Sequence, residues 1–175
     1  MPNAPIPPLA PWHDYYLVLG AAAATLIGAM FVVASIGSGV LTRETTTQTS
    51  VFLTPIVTHL ATVLLTCAAA VVPSLSLEVF GAVLAVAGLA GMLYCTRIAW
   101  LIVHWREYDR SDFVWYGVVP LVAYAAMAAA GLIHLRGGAE SLDLLAAALA
   151  LFIVAGLRNA WDLILFIVRR SKSQK

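Results

Sequence analysis

The stretch ALALFIVAGLRNAWDLILFIV, residues 148–168, holds two charged side chains inside a largely apolar run. Arg158 and Asp162 are four residues apart, so on a helix they lie on one face. The apolar span around them covers residues 142–168, and a helix needs about 20 apolar residues to cross a bilayer. Because a charge inside a bilayer is costly, we expect these two residues to pair with each other or to serve a function.

The composition is typical of a membrane protein. Hydrophobic residues make up 62% of the chain, charged residues make up 11%, and the mean hydropathy is +0.91. A soluble domain has about 45–50% apolar and about 25% charged residues. The net charge of +1, without a basic stripe, argues against nucleic acid as a partner. Cys67 and Cys95 both fall in apolar spans, so we expect them to be packing residues.

Hydropathy predicts an all-α integral membrane protein, a bundle of five transmembrane helices at residues 15–37, 51–72, 75–104, 116–135 and 142–168. The joins after the second and fourth spans are short, so these neighbours are predicted to pack as antiparallel hairpins. Residues 1–14 are predicted to be a proline-rich lead-in, residues 15–168 a single transmembrane domain and residues 169–175 a basic tail. No Lys or Arg precedes position 43, so we expect the first span to be retained and not cleaved as a signal peptide.

The basic residues outside the spans predict the orientation of the bundle. On one predicted side there is only Arg136, whereas the other side holds Arg43, Arg106, Arg110, Arg169, Arg170, Lys172 and Lys175. The positive-inside rule then places the amino terminus outside and the carboxyl terminus in the cytoplasm. The lead-in is therefore expected to be extracytoplasmic and the tail cytoplasmic. We expect the membrane to be the plasma membrane, which is the inner membrane in bacteria.

Ionisable residues from three spans are predicted to share one level of the inner leaflet. At about 1.5 Å of rise per residue, His59, Arg97 and Asp162 lie roughly 12, 10 and 9 Å from the cytoplasmic ends of their spans. Arg158 and Asn159 lie about 15 and 13 Å deep on the same count. If the helix faces converge, these residues form one polar cluster of net positive charge. Arg158 can pair with Asp162, but Arg97 then needs another partner, which an anion, a lipid phosphate or a second subunit could provide. Alternatively, the Arg97 side chain extends toward the headgroups.

A stripe of hydroxyl side chains follows the second span, at Thr54, Thr58, Thr62 and Thr66. Such hydroxyls can line a hydrated ion path, or they can bond to carbonyls of their own helix and help helices pack. The Thr54-Pro55 pair is typical of a helix start, although Pro55 is also compatible with a kink in a helix that began earlier.

Small residues recur at every fourth position in three spans and predict close helix packing. They are Gly20, Ala24 and Gly28; Ala87, Gly91, Cys95 and Ala99; and Gly156 and Ala160. The alternative is that these faces join copies of the chain into a homo-oligomer.

The sequence predicts a small oligomeric channel or transporter for a small anion or protons. The predicted pathway is lined by the polar cluster and the threonine stripe, namely His59, Arg97, Arg158, Asn159, Asp162, Thr54, Thr58 and Thr62. The alternative is a non-catalytic accessory or assembly subunit of a larger membrane complex. In that case the cytoplasmic loop WREYDRSDFVW, bounded by Trp105 and Trp115, would dock a partner.

Membrane lipids are the expected partners in either case, and no catalytic residue, cofactor or metal site is predicted. The chain has no GxSxG, HExxH, CxxC, P-loop or GxGxxG motif. His59 and His104 differ by about 12 Å in predicted depth, which is too much for two ligands of one haem. An enzyme is therefore the least supported class.

Overall fold

The computed structural model describes residues 10–37, 43–72, 74–104, 111 and 113–173. The structure is 92% helical, and the residues that it describes form no β-strand. In this part of the chain five α-helices follow one another: α1 His13–Gly37, α2 Arg43–Ala70, α3 Leu77–His104, α4 Val119–Leu135 and α5 Ser141–Ser173. A 3-10 turn, Ala10–Trp12, precedes α1, and a π-helical turn, Phe113–Val118, leads into α4.

Five helical segments of the described chain are long and apolar enough to cross a membrane. They are His13–Ile36, Leu53–Ala70, Leu77–Trp100, Phe113–Leu135 and Ser141–Arg169. The predicted five-helix transmembrane bundle is therefore confirmed, and the protein is an integral membrane protein. The orientation of its termini stays a prediction.

Helix α2 begins well before the apolar span that was predicted from hydropathy. It starts at Arg43 and includes the polar residues that precede residue 51. Pro55 lies inside this helix and is buried. The Thr54-Pro55 pair therefore does not mark a helix start, and the second interpretation of Pro55, a proline within a helix that began earlier, is the correct one.

Helix α5 packs against both α4 and α2, while α3 packs along α4 and α1 packs along α2. The predicted hairpin of α4 and α5 is confirmed. The predicted hairpin of α2 and α3 is wrong, because these two helices touch only sparsely despite their short connection. Helix α3 instead makes its most extensive contact with α4.

Glycines explain why α3 prefers α4. A Cβ atom placed on Gly88 would lie 2.5 Å from the backbone nitrogen of Ala128, and one on Gly131 would lie 2.5 Å from the backbone nitrogen of Ala85. The two backbones thus approach each other more closely than any side chain at these positions would allow. Such contact strengthens van der Waals packing, the main attraction between helices in lipid.

The turn between α4 and α5 places the ends of both helices next to each other. Gly137 adopts a positive φ of 75°, a conformation that glycine reaches without a steric penalty. Its N–H donates to the carbonyl of His134 at 2.9 Å, and the N–H of Gly138 donates to the carbonyl of Ile133 at 3.0 Å. These bonds satisfy carbonyls at the end of α4.

Several of the predicted small-residue faces pack within the chain. A Cβ on Gly20 would meet the Cβ of Cys67 at 3.2 Å, and one on Gly156 would meet the side chain of Leu60 at 2.9 Å. Cys67 and Cys95 are free and buried, as expected of packing residues. A Cβ on Gly28, in contrast, would meet no described atom within 4 Å.

Candidate functional site

His59 of α2 lies where four helices meet. Its side chain is 1% exposed, and its Nδ1 lies 3.1 Å from the hydroxyl oxygen of Tyr124 on α4. The imidazole stacks on the ring of Phe152 on α5, with 5.8 Å between centroids and 23° between planes. The ring of Tyr94 on α3 approaches it edge-on at 6.3 Å. A polar group is therefore enclosed by aromatic rings in the interior of the bundle.

Thr62 of the threonine stripe is linked to this histidine through Tyr124. The hydroxyl of Thr62 lies 3.0 Å from the Tyr124 hydroxyl and 2.9 Å from the carbonyl of Thr58, to which it donates. Thr58 donates to the carbonyl of Thr54 at 2.8 Å. Thr58 and Thr62 therefore bond to carbonyls of their own helix, which is the second of the two roles predicted for the threonine stripe. Thr62 is in addition part of the hydrogen-bonded chain that includes Tyr124 and His59. We call His59, Tyr124 and Thr62 the His59 group.

One nitrogen of His59 has no hydrogen-bond partner among the residues that the structure describes. This atom, Nε2, is buried. Buried polar atoms in folded proteins are nearly always paired, so an unpaired one needs an explanation, and a functional role is one of the explanations. The His59 group is the strongest candidate site on this ground.

Tyr124 fits beside His59 because Gly91 of α3 lies opposite its ring. A Cβ on Gly91 would overlap the ring of Tyr124. Sequence reasoning missed Tyr124, although Tyr124 and His134 are the two polar side chains in the stretch Val119–Leu135. The hydroxyl of Tyr124 in such an apolar helix could have indicated a buried hydrogen bond. Phe152 and Tyr94 carried no comparable signal, because aromatic residues are common in membrane helices.

Asn159 anchors a second polar group where α5 meets the π-helical turn. Its side-chain amide nitrogen donates to the backbone carbonyl of Trp115 at 3.0 Å, and the hydroxyl of Tyr116 donates to the backbone carbonyl of Asn159 at 3.2 Å. Arg158 forms an ion pair with Asp162, and its guanidinium carbon lies 5.9 Å from the centroid of the Trp115 ring. The Asn159 group, as we name these five residues, thus ties α5 to the start of α4.

The structure separates the predicted polar residues: His59 and Thr62 lie in one group, Asn159, Arg158 and Asp162 lie in another, and Arg97 belongs to neither. Phe152, the α5 residue that stacks on His59, lies about two helical turns, roughly 10 Å, from Asn159 along α5. Arg97 is exposed on α3 and forms no hydrogen bond or ion pair with any described residue. Helix α3 packs on α4 and makes no extensive contact with α5, so Arg97 does not join the charges of α5. Thr54 is exposed and contributes only its carbonyl.

At the opposite end of the bundle, polar contacts join the end of one helix to the start of another. His134 at the end of α4 lies with its Nδ1 3.0 Å from the hydroxyl of Ser141 at the start of α5. The Tyr15 hydroxyl of α1 donates to the carbonyl of Ala146 at 2.8 Å.

Within the described ranges no three His, Cys, Asp or Glu residues come close enough to hold a metal ion. Of the predicted docking loop, residues 105–110 and 112 lie outside the described residues, as do residues 1–9 of the lead-in.

The fold and these two polar groups define the class: a five-helix integral membrane protein with a histidine buried among aromatic rings. Comparison with models of protein families, with curated proteins and with solved structures finds no match to this chain. The assignment of a function therefore depends on the chemistry of the His59 group.

Proposed function

We propose that the protein is a small channel or transporter for protons or a small anion, with His59 as the residue that binds the transported ion. The observation that carries this proposal is the buried imidazole whose Nδ1 is hydrogen-bonded and whose Nε2 is unpaired among the described residues. Ionisable side chains inside membrane helices are costly, and function is the usual reason for their retention. If position 59 were needed only for packing, an apolar side chain of the same size would fill the space without burying a polar nitrogen.

The His59 group is built within one chain, so the proposed transport does not depend on the predicted homo-oligomer. Its hydroxyl chain runs from His59 through Tyr124 to Thr62. Five helices are too few for a wide pore, which favours passage of an ion as small as a proton or transport by alternating access. We propose the plasma membrane, the bacterial inner membrane, as its location, with lipids as the surrounding partners.

A second candidate function is supported by Arg97. This exposed guanidinium lies on a membrane helix without a partner in the described part of the chain. A carboxylate of another subunit would pair with it, as expected of an accessory or assembly subunit of a larger complex, and residues 105–115 would be a further contact surface for a cytoplasmic partner. This candidate leads if the purified protein carries no ion.

Ion flux into liposomes tests the proposal. The purified protein is reconstituted at defined density, and proton and chloride movements are followed separately with a pH-sensitive and a chloride-sensitive dye. We expect flux above that of protein-free vesicles, and we expect His59→Gln to reduce it to the protein-free level. His13→Gln is the matched control, because His13 is exposed at the start of α1. Equal flux from wild type and His59→Gln, or no flux from folded wild type, would overturn the proposal.

A further inference from the structure

We infer that Tyr124 and Thr62 hold His59 as the tautomer with its hydrogen on Nδ1, so that the site receives a proton at Nε2. The inference specifies how the proposed function would work, and the role of this tautomer in transport rests on that proposal. The tautomer itself is a property of the folded protein and can be measured without any transport.

The hydrogen bonds of the His59 group assign each hydrogen in turn. Thr62 has one hydroxyl hydrogen, and it points to the Thr58 carbonyl at 2.9 Å. Thr62 can therefore only accept from Tyr124, which uses its own hydrogen for this bond of 3.0 Å. The Tyr124 oxygen then has only lone pairs left for His59, so the bond of 3.1 Å requires a hydrogen on Nδ1. A neutral imidazole with hydrogen on Nδ1 presents a lone pair at Nε2.

The opposite assignment leaves more groups unsatisfied. If Tyr124 donated to Nδ1, Thr62 would have to donate to Tyr124 and would give up its bond to the Thr58 carbonyl. His59 would then carry its hydrogen on Nε2, which is buried and has no acceptor among the described residues. Orphaned buried N–H groups are rarer in proteins than under-used acceptors. The arrangement with an unpaired lone pair is therefore the favoured one.

The surroundings of His59 suit a proton better than an anion. Among the described residues, Tyr94 and Tyr124 are the titratable groups whose rings face the imidazole, and Cys95 of α3 is buried in the core cluster that contains Tyr124. Arg158 is paired with Asp162 in the Asn159 group and Arg97 is exposed on α3, so neither guanidinium belongs to the His59 group. A neutral imidazole offers an anion no positive charge.

Protonation needs no change in the hydrogen bond to Tyr124. An Nε2–H bond forms as an O–H bond of a hydronium ion breaks and leaves water, while Nδ1 keeps its hydrogen and continues to donate to Tyr124. The resulting imidazolium lies against the ring of Phe152, 5.8 Å between centroids, and an aromatic face attracts a cation at that distance. Tyr124 is thus a positioning residue that acts through His59.

Nitrogen NMR of the protein in lipid bilayers, with ¹⁵N-labelled histidine, tests the inference. The two ring nitrogens have different chemical shifts with and without hydrogen, and the His59 signals are assigned by their loss in His59→Gln. We expect a protonated Nδ1 and a bare Nε2 in neutral wild-type His59. Tyr124→Phe should shift the signals toward a mixture of tautomers, whereas Tyr94→Phe, the same chemical change on the neighbouring ring, should leave them unchanged.

The outcomes separate the inference from the proposed function. A wild-type His59 with hydrogen on Nε2 would overturn the inference even if ion flux is observed, and so would unchanged signals in folded Tyr124→Phe. A hydrogen on Nδ1 that is displaced in Tyr124→Phe supports the inference even if no flux is found, and only the transport proposal then fails. If Tyr124→Phe does not fold, the wild-type spectrum alone decides.

Discussion

The ring of Tyr124 occupies the space beside Gly91 into which any other residue would project a side chain. Gly91 belongs to α3, Tyr124 to α4, and the hydrogen-bond partner of Tyr124, His59, belongs to α2. The absence of a side chain at one position therefore allows a polar contact between two other helices. The His59 group depends on this relationship as much as on its own hydrogen bonds.

Gly91→Ala should destabilise the protein, because its methyl group would overlap the Tyr124 ring. Overpacking of a tight interior typically costs about 1–3 kcal/mol, and displacement of the ring would also weaken the bond to His59. Thermal unfolding in detergent measures the loss of stability. The control is Gly28→Ala, whose Cβ would meet nothing within 4 Å, and which should be neutral or slightly stabilising. Equal melting temperatures for Gly91→Ala and wild type would contradict this tight packing.

Arg158 and Asp162 should depend on each other for stability. Asp162→Asn and Arg158→Gln should each lower the melting temperature, and the double variant should recover part of the loss. Coupling between contacting residues is on the order of 0.5–3 kcal/mol. We expect the lower part of this range, because the side chains are 39% and 34% exposed.

The control for this pair combines Asp162→Asn with Arg97→Gln. Arg97 has no ion pair in the described part of the chain, so these two effects should add. If the Arg158–Asp162 double variant were as unstable as the sum of its singles, the ion pair would have no energetic role.

Asn159→Leu should weaken the junction between α5 and the π-helical turn. The change removes the amide that donates to the Trp115 carbonyl at 3.0 Å and leaves that carbonyl without this partner. Loss of a partner to a buried polar group costs about 1–3 kcal/mol, and we expect the lower part of this range because this hydrogen bond is partly buried. Unfolding in detergent would detect the loss. Thr25→Val is the control, since the hydroxyl of exposed Thr25 donates to the Ala21 carbonyl of its own helix. A similar small effect of both changes would show that the Asn159 bond contributes little.

The amino terminus should face outside and the carboxyl terminus the cytoplasm, as the basic residues predict. Single cysteines introduced at Pro5, Tyr108 and Ser173 would be exposed to a membrane-impermeant thiol reagent in intact cells. Only the cysteine at position 5 should react before the cells are broken. Cys67 and Cys95 are buried, so wild-type protein should show little background. Reaction at position 173 in intact cells would reverse the topology.

Local properties of the chain were predictable from the amino-acid sequence alone. Apolar length and composition determine that a segment crosses the membrane, so the number of spanning helices followed from hydropathy. The Arg158–Asp162 pair also followed, since a spacing of four brings two side chains together on any helix. Both depend only on residues near each other in the chain.

Contacts between helices were decided by the tertiary structure. Hydropathy does not reveal how each helix is rotated about its axis or which neighbour it packs against, and a short connection wrongly indicated α2 as the neighbour of α3. The close approach at Gly88 and Gly131 holds α3 against α4 instead. That packing leaves Arg97 exposed and apart from the charges of α5, and the ring of Tyr124 reaches His59 only because α3 and α4 cross where Gly91 has no side chain.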